Sequence, residues 1–199
     1  SGMNDSDDFE TEADFGSAMT NAAKWSDNKV PHAGPIYYSG TDRRLRTPWS
    51  EKNADYEFAF PSDTLIVENA FYLCCSSFVC DHFRVTGSGA KYFYLPNGIG
   101  GLRTFRGEDF YIGDDVTMTL RIFSNTTLDL RTALKGGGDI VFTGVYWSST
   151  PNGYLRLNTE KYGGMLTIWP KDHGVFLFVN CQSAVPDGMI AAPVDSLMR

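Results

Sequence analysis

The side chains able to do chemistry in this chain are few and scattered: three histidines, four cysteines, and a band of aromatic and amide residues towards the C-terminus. The cysteines are Cys74, Cys75, Cys80 and Cys181. Zinc would demand tighter Cys and His spacing, and a disulfide among Cys75, Cys80 and Cys181 is conceivable only after folding. Cys74 and Cys75 fall on opposite faces of any strand that holds them, amid Phe71, Leu73, Phe78 and Val79. The four are therefore expected to be reduced, buried small hydrophobes whose thiols an apolar environment keeps unreactive.

Catalysis would have to use His32, His82 or His173. Cys80-Asp81-His82 places a nucleophile, an acid and a base in a row, but neighbours along a strand alternate faces and form no relay by themselves. Gly87-Ser88-Gly89 lacks the outer glycine spacing of a nucleophile elbow, and His173 sits in a KDHG turn. Gly98 to Gly101 and Gly136 to Asp139 adjoin strands, without the helix whose N-terminus would hold a phosphate. These residues predict no catalytic constellation, no cofactor and no metal.

Binding chemistry has more support. Tyr146, Trp147, Tyr154, Tyr162 and Trp169 fall close together, beside Asn152, Asn158, Arg156 and Lys171. Rings supply contact area at low entropic cost, and amides and charges fix orientation. The expected recognition residues are Asn152, Tyr154, Arg156, Tyr162 and Lys171, at or near the PNG and KDHG segments read as hairpin tips.

The elements that must carry these residues read as strands. Eleven short runs from Tyr56–Phe60 to Val175–Cys181, among them Phe78–Val85 and Asp109–Ile112, are divided by Gly, Pro, Asn and Asp clusters. Tight connections between short strands predict an all-β fold: a single antiparallel β-sandwich, or a Greek-key or jelly-roll-like barrel, with long loops. No period of about 20–50 residues recurs, which argues against a solenoid or propeller. Phe15, Met19, Ala22 and Trp25 allow one short helix near the N-terminus. The expected organisation is an acidic leader over 1–30, an extended arm over 31–55, a β-rich core over 56–182 and a tail over 183–199.

At 199 residues, 42% apolar and 21% charged, the chain has a globular balance. Its net charge of −7 and the acidic run from Asp5 to Asp14 argue against duplex nucleic acid as the main partner. No apolar stretch reaches the roughly 20 residues of a spanning helix, so no membrane insertion is expected. Arg43, Arg44 and Arg46 form a basic knot, expected as a solvated surface turn.

Two resemblances add to this reading. The stretch Gly144-Val145-Tyr146-Trp147-Ser148-Ser149-Thr150, then Tyr154-Leu155-Arg156-Leu157-Asn158, then Gly174-Val175 leading to Cys181, resembles the C-terminal pattern of FISUMP-type, lectin-like bacterial surface domains. That resemblance implies an adhesin at the bacterial cell surface. The whole-chain character, a β-rich domain with Gly/Asn/Thr loops behind an acidic leader, looks like the protruding spike of a non-enveloped virus capsid of the astrovirus kind. It implies a dimeric, non-enzymatic projection on the virion surface that contacts a host-cell receptor, protein or glycan, and is bound by antibodies.

Overall fold

The computed structural model describes residues 17–48, 56–95, 101–123, 126–145, 152–158, 166–169, 175–178 and 190–191, with side chains described for most positions up to 141. The strands in chain order are β1 (Ser17–Ala18), β2 (Tyr37–Tyr38), β3 (Arg44–Arg46), β4 (Glu57–Ala59), β5 (Thr64–Val67) and β6 (Ala70–Tyr72). Next come β7 (Ser77–Val79), β8 (His82–Val85), β9 (Gly89–Tyr94), β10 (Gly101–Ile112), β11 (Val116–Phe123) and β12 (Thr126–Gly136). The last are β13 (Asp139–Val145), β14 (Asn152–Asn158), β15 (Leu166–Trp169), β16 (Val175–Phe178) and β17 (Ile190–Ala191).

Every ladder between these strands is parallel. The first sheet runs β16-β14-β12-β10-β8-β5-β2, with β4 and β7 joined to its side, and the second runs β1-β3-β6-β9-β11-β13-β15-β17. Successive strands therefore alternate between two sheets, except that β4 and β5, and β7 and β8, follow one another in the first sheet, and each stacks on a strand of a neighbouring coil. This is a β-solenoid. The expected antiparallel sandwich or jelly-roll barrel is overturned, and with it the reading of the glycine-rich segments as hairpin turns: Gly87-Ser88, Gly113 to Asp115 and Gly137-Gly138 are corners between the sheets.

Inward residues form rows down the coil. In the first sheet Leu65 pairs with Phe83, Phe83 with Phe110 and Phe110 with Leu134, steps of 18, 27 and 24 residues. In the second, Leu45, Phe71, Phe93 and Leu120 stand in register. The rows meet in the middle, with ring centroids 4.9 Å apart for Phe71 and Phe83 and 5.8 Å for Phe93 and Phe110. All eight side chains are buried. Such aromatic pairs add about 0.5–1.5 kcal/mol each beyond the area they bury.

Between β7 and β8 the coil breaks at Cys80-Asp81, so the single strand expected over Phe78–Val85 is two. The longer β10 spans both, pairing Thr104 to Arg106 with β7 and Asp109 to Ile112 with β8. A bulge at Gly107-Glu108 absorbs the break: the Glu108 and Asp109 N–H groups both donate to the Asp81 carbonyl at 2.9 Å. A Cβ on Gly107 would lie 1.9 Å from the Cys80 carbonyl oxygen, so no larger residue fits there without moving backbone.

Of the N-terminal helix expected near Phe15 to Trp25, the described part from Ser17 onward holds a single 3-10 turn, Ala22–Lys24, whose N-cap Asn21 accepts the Ala23 N–H at 3.1 Å. Met19 and Trp25 are fully buried, and the Trp25 indole donates to the Met19 carbonyl at 2.9 Å. These residues close the first coil rather than form a separate helix. The described part of the arm, 31–48, likewise belongs to the solenoid through β2 and β3.

Candidate binding face

Alternation along the second sheet decides what its outer surface carries. With Leu45, Phe71, Phe93 and Leu120 inside, their neighbours stand outside: Arg44 and Arg46, Ala70 and Tyr72, Tyr92 and Tyr94, Thr119 and Arg121. Parallel register then lines Arg46, Tyr72, Tyr94 and Arg121 into one row, and Arg44, Ala70, Tyr92 and Thr119 into the next. Backbone pairing carries the first row on to Thr143 and Trp169.

Neighbouring strands lie about 4.8 Å apart, close to the stacking distance of aromatic rings, so equivalent tyrosines stack. Tyr72 and Tyr94 are stacked with centroids 4.5 Å apart and planes 20° from parallel, and Tyr92 and Tyr94 with 5.6 Å and 14°. The Arg121 guanidinium lies 5.5 Å from the Tyr92 centroid and 5.4 Å from that of Tyr94. Stacked rings rising from a sheet cover one another's faces and turn their edges outward. The surface therefore offers phenol hydroxyls and guanidinium N–H groups.

Tyr92, Tyr94 and Arg121 are half-buried, Arg44 is exposed, and Tyr72 and Arg46 are buried. Burial raises the Tyr94 phenol, with the Arg121 and Arg44 charges opposing it in part. The hydroxyl stays a donor at neutral pH. In a chain of net charge −7, the outward positions of β3, β6, β9 and β11 hold three arginines and no carboxylate.

The outer face of the first sheet carries ion pairs: Arg106 with Glu57, Arg131 with Asp129 at 2.8 Å, and Lys135 with Asp109 at 3.2 Å. The β10 bulge brings two successive carboxylates to one imidazole, His82 Nδ1 lying 3.0 Å from Asp109 and Nε2 lying 3.7 Å from Glu108. Burial alone would raise the Asp109 carboxyl, but hydrogen bonds from Lys135 and His82, and their charges, hold it below the usual value of 3.8. Arg84 lies over the Tyr111 ring at 5.5 Å. Two buried side-chain atoms of this face have no hydrogen-bond partner among the described residues, Arg106 Nε and Asp109 Oδ1.

Of the residues expected to carry recognition, Asn152, Tyr154 and Arg156 lie within β14, in the first sheet. The PNG segment is therefore no hairpin tip: Asn152 and Gly153 pair in parallel with Val175 and Phe176. Leu155 stands opposite the buried Leu128, which places Tyr154 and Arg156 on the alternate row, opposite Thr127 and Asp129. Tyr162, Lys171 and the KDHG segment lie outside the described residues. The signal that would have located the tyrosine face is a repeated triplet: Arg44-Leu45-Arg46, Ala70-Phe71-Tyr72 and Tyr92-Phe93-Tyr94, each a buried apolar residue between two outward ones.

Arg43 and Arg46 are buried, so the basic knot is not a solvated turn. Cys74, Cys75 and Cys80 are free and buried, and Cys181 lies outside the described residues. Cys75 joins the main core while Cys74 packs with Ala70 and Tyr72 on the other side of the second sheet. Burial pushes the Cys80 thiol up to about 12 and also raises that of Cys75. Cys80 is thus in the core and His82 on the outer surface, on opposite sides of the same segment. His32 Nδ1 lies 3.0 Å from the Ala33 carbonyl.

Among the described residues no group of three or more His, Cys, Asp or Glu could hold a metal ion, and no helix is long and apolar enough to cross a membrane. No protein-family model, curated protein or solved structure matches the chain.

Proposed function

We propose that this chain is a non-enzymatic, surface-displayed attachment domain that engages a cell-surface receptor through the outer face of its second sheet. The observation that carries the reading is the stacked, half-buried pair Tyr92 and Tyr94 with the Arg121 guanidinium laid against both rings. A rigid, preorganised array loses little entropy on binding. Display on a virion remains part of the proposal. The resemblance to capsid spikes rested on a β-rich domain with Gly/Asn/Thr loops behind an acidic leader; the face itself adds support for attachment.

The test is adhesion of the fluorescently labelled domain to cultured cells, measured for the natural chain and for Arg121→Glu. Charge reversal should lower cell binding by at least about tenfold, the scale of one charge-assisted hydrogen bond. A companion Lys135→Glu, on the first sheet, should leave adhesion unchanged. Equal adhesion of Arg121→Glu and the natural chain, with both folded by circular dichroism, would refute this reading.

A further inference from the structure

Resting on that attachment reading, we infer that the ligand is a glycan bearing one carboxylate sugar, its acid group held by Arg121 and its hydroxyls laid along β11. The Arg121 guanidinium carbon lies 5.5 Å from the Tyr92 ring centroid and 5.4 Å from that of Tyr94. Ring contacts leave the charge in place and the planar fork of N–H donors without an acceptor. Among the described residues no carboxylate or carbonyl accepts a hydrogen bond from Arg121. A carboxylate fits that fork with two parallel bonds. Arg121 is the one charged side chain at the outward positions of β9 and β11, so the site calls for a single negative charge rather than a polyanion.

The rest of the strand decides between a sugar and a peptide. Val116, Met118 and Leu120 are buried inward, so Thr117, Thr119 and Arg121 stand outward, each half-buried, at steps of about 7 Å. Tyr92 and Tyr94 flank them on β9, in register with Thr119 and Arg121. Among the described residues the hydroxyls of Thr117, Thr119, Tyr92 and Tyr94 make no hydrogen bond. A hydroxyl both donates and accepts, as the hydroxyls of a sugar do. A peptide would be recognised through its backbone at a free sheet edge, and β11 offers none, because β9 and β13 pair with it on either side. On β13 the outward Asp139 stands opposite Thr117, four residues from the position facing Arg121, about 14 Å along the strand. That is beyond a Debye length at physiological salt, so the carboxylate does not neutralise the guanidinium.

The experiment titrates the domain with two single-carboxylate glycans, sialyllactose and a disaccharide ending in glucuronic acid, with lactose as the neutral control and a glutamate-rich peptide as the competing class. At least one acidic glycan should bind about tenfold or more tightly than lactose, the scale of one charge-assisted hydrogen bond. Arg121→Gln should bring that binding down to the level of lactose. Arg121→Lys, which keeps the charge and loses the fork, should weaken it about two- to tenfold. Thr119→Val and Tyr94→Phe, which each remove one hydroxyl, should weaken it by a similar factor with an unchanged melting temperature, and they carry the test if Arg121→Gln does not fold. Failure of both acidic glycans to exceed lactose, full binding by Arg121→Gln, or tighter binding of the peptide would each overturn the inference. The attachment reading falls on a different result, unchanged cell adhesion of Arg121→Glu, so the two failures are distinguishable.

Discussion

Burial fixes the behaviour of single residues here more firmly than their chemical type does. The Cys80 thiol, pushed up to about 12 in the core, is expected to be inert towards a thiol reagent at pH 8. Titration of the folded protein should find Cys74, Cys75 and Cys80 unreactive, and unfolding in denaturant should expose all three; rapid labelling of Cys80 in the native state would contradict its placement. Asp109 is the opposite case. Its folded-state carboxyl is held below 3.8, so it contributes stability that is complete above the ordinary carboxylate range and is lost as pH falls through that range. Asp109→Asn should therefore flatten the acid limb of the stability curve below about pH 4, as read by urea unfolding at a series of pH values. A mutant that loses stability in parallel with the natural chain across that limb would show that Lys135 and His82 do not bias this carboxyl.

Individual strands were legible in the sequence while their pairing was not. Glu57–Ala59 and Val175–Phe178 are strands within the expected runs Tyr56–Phe60 and Val175–Cys181. Alternation of Leu65 and Val67 inward with Thr64 and Ile66 outward looks the same whether the partner runs parallel or antiparallel. Corners of a coil and tips of a hairpin also draw on the same residues. Gly136, with φ of +96° and a Cβ position 1.9 Å from the Ile112 carbonyl oxygen, ends β12 at such a corner. Gly136→Ala should cost at least about 1–2 kcal/mol from its left-handed backbone alone, with the steric clash added; a melting temperature equal to that of the natural chain would remove the corner from the account. β12 escaped notice because Asp129, Arg131 and Lys135 make Thr126–Gly136 look polar, although Leu128, Leu130 and Leu134 are buried at alternate positions.

Whole-molecule architecture was hidden by uneven coils. Steps of 18, 27 and 24 residues along one core row leave no fixed period for a repeat search to find, yet the structure keeps one register. Interior packing is what the coils share. Phe83 touches Phe71, Phe78, Phe93, Phe105 and Phe110, so Phe83→Ala should cost about 3–5 kcal/mol, measured by denaturant unfolding. A loss below about 1 kcal/mol would mean that the two sheets do not meet at this ring.

The candidate site divides the same way. Aromatic and polar residues as the means of recognition could be read from the sequence, but their location needed the register that brings Tyr72, Tyr94 and Arg121 into one row from strands far apart in the chain. The most direct test is nuclear magnetic resonance of the isotope-labelled domain titrated with a solubilised surface extract of cells to which it adheres. The account predicts that the shifted resonances cluster at Tyr92, Tyr94, Thr119 and Arg121 on the second sheet. Shifts confined to Asn152, Tyr154 and Arg156 on the first sheet would contradict it.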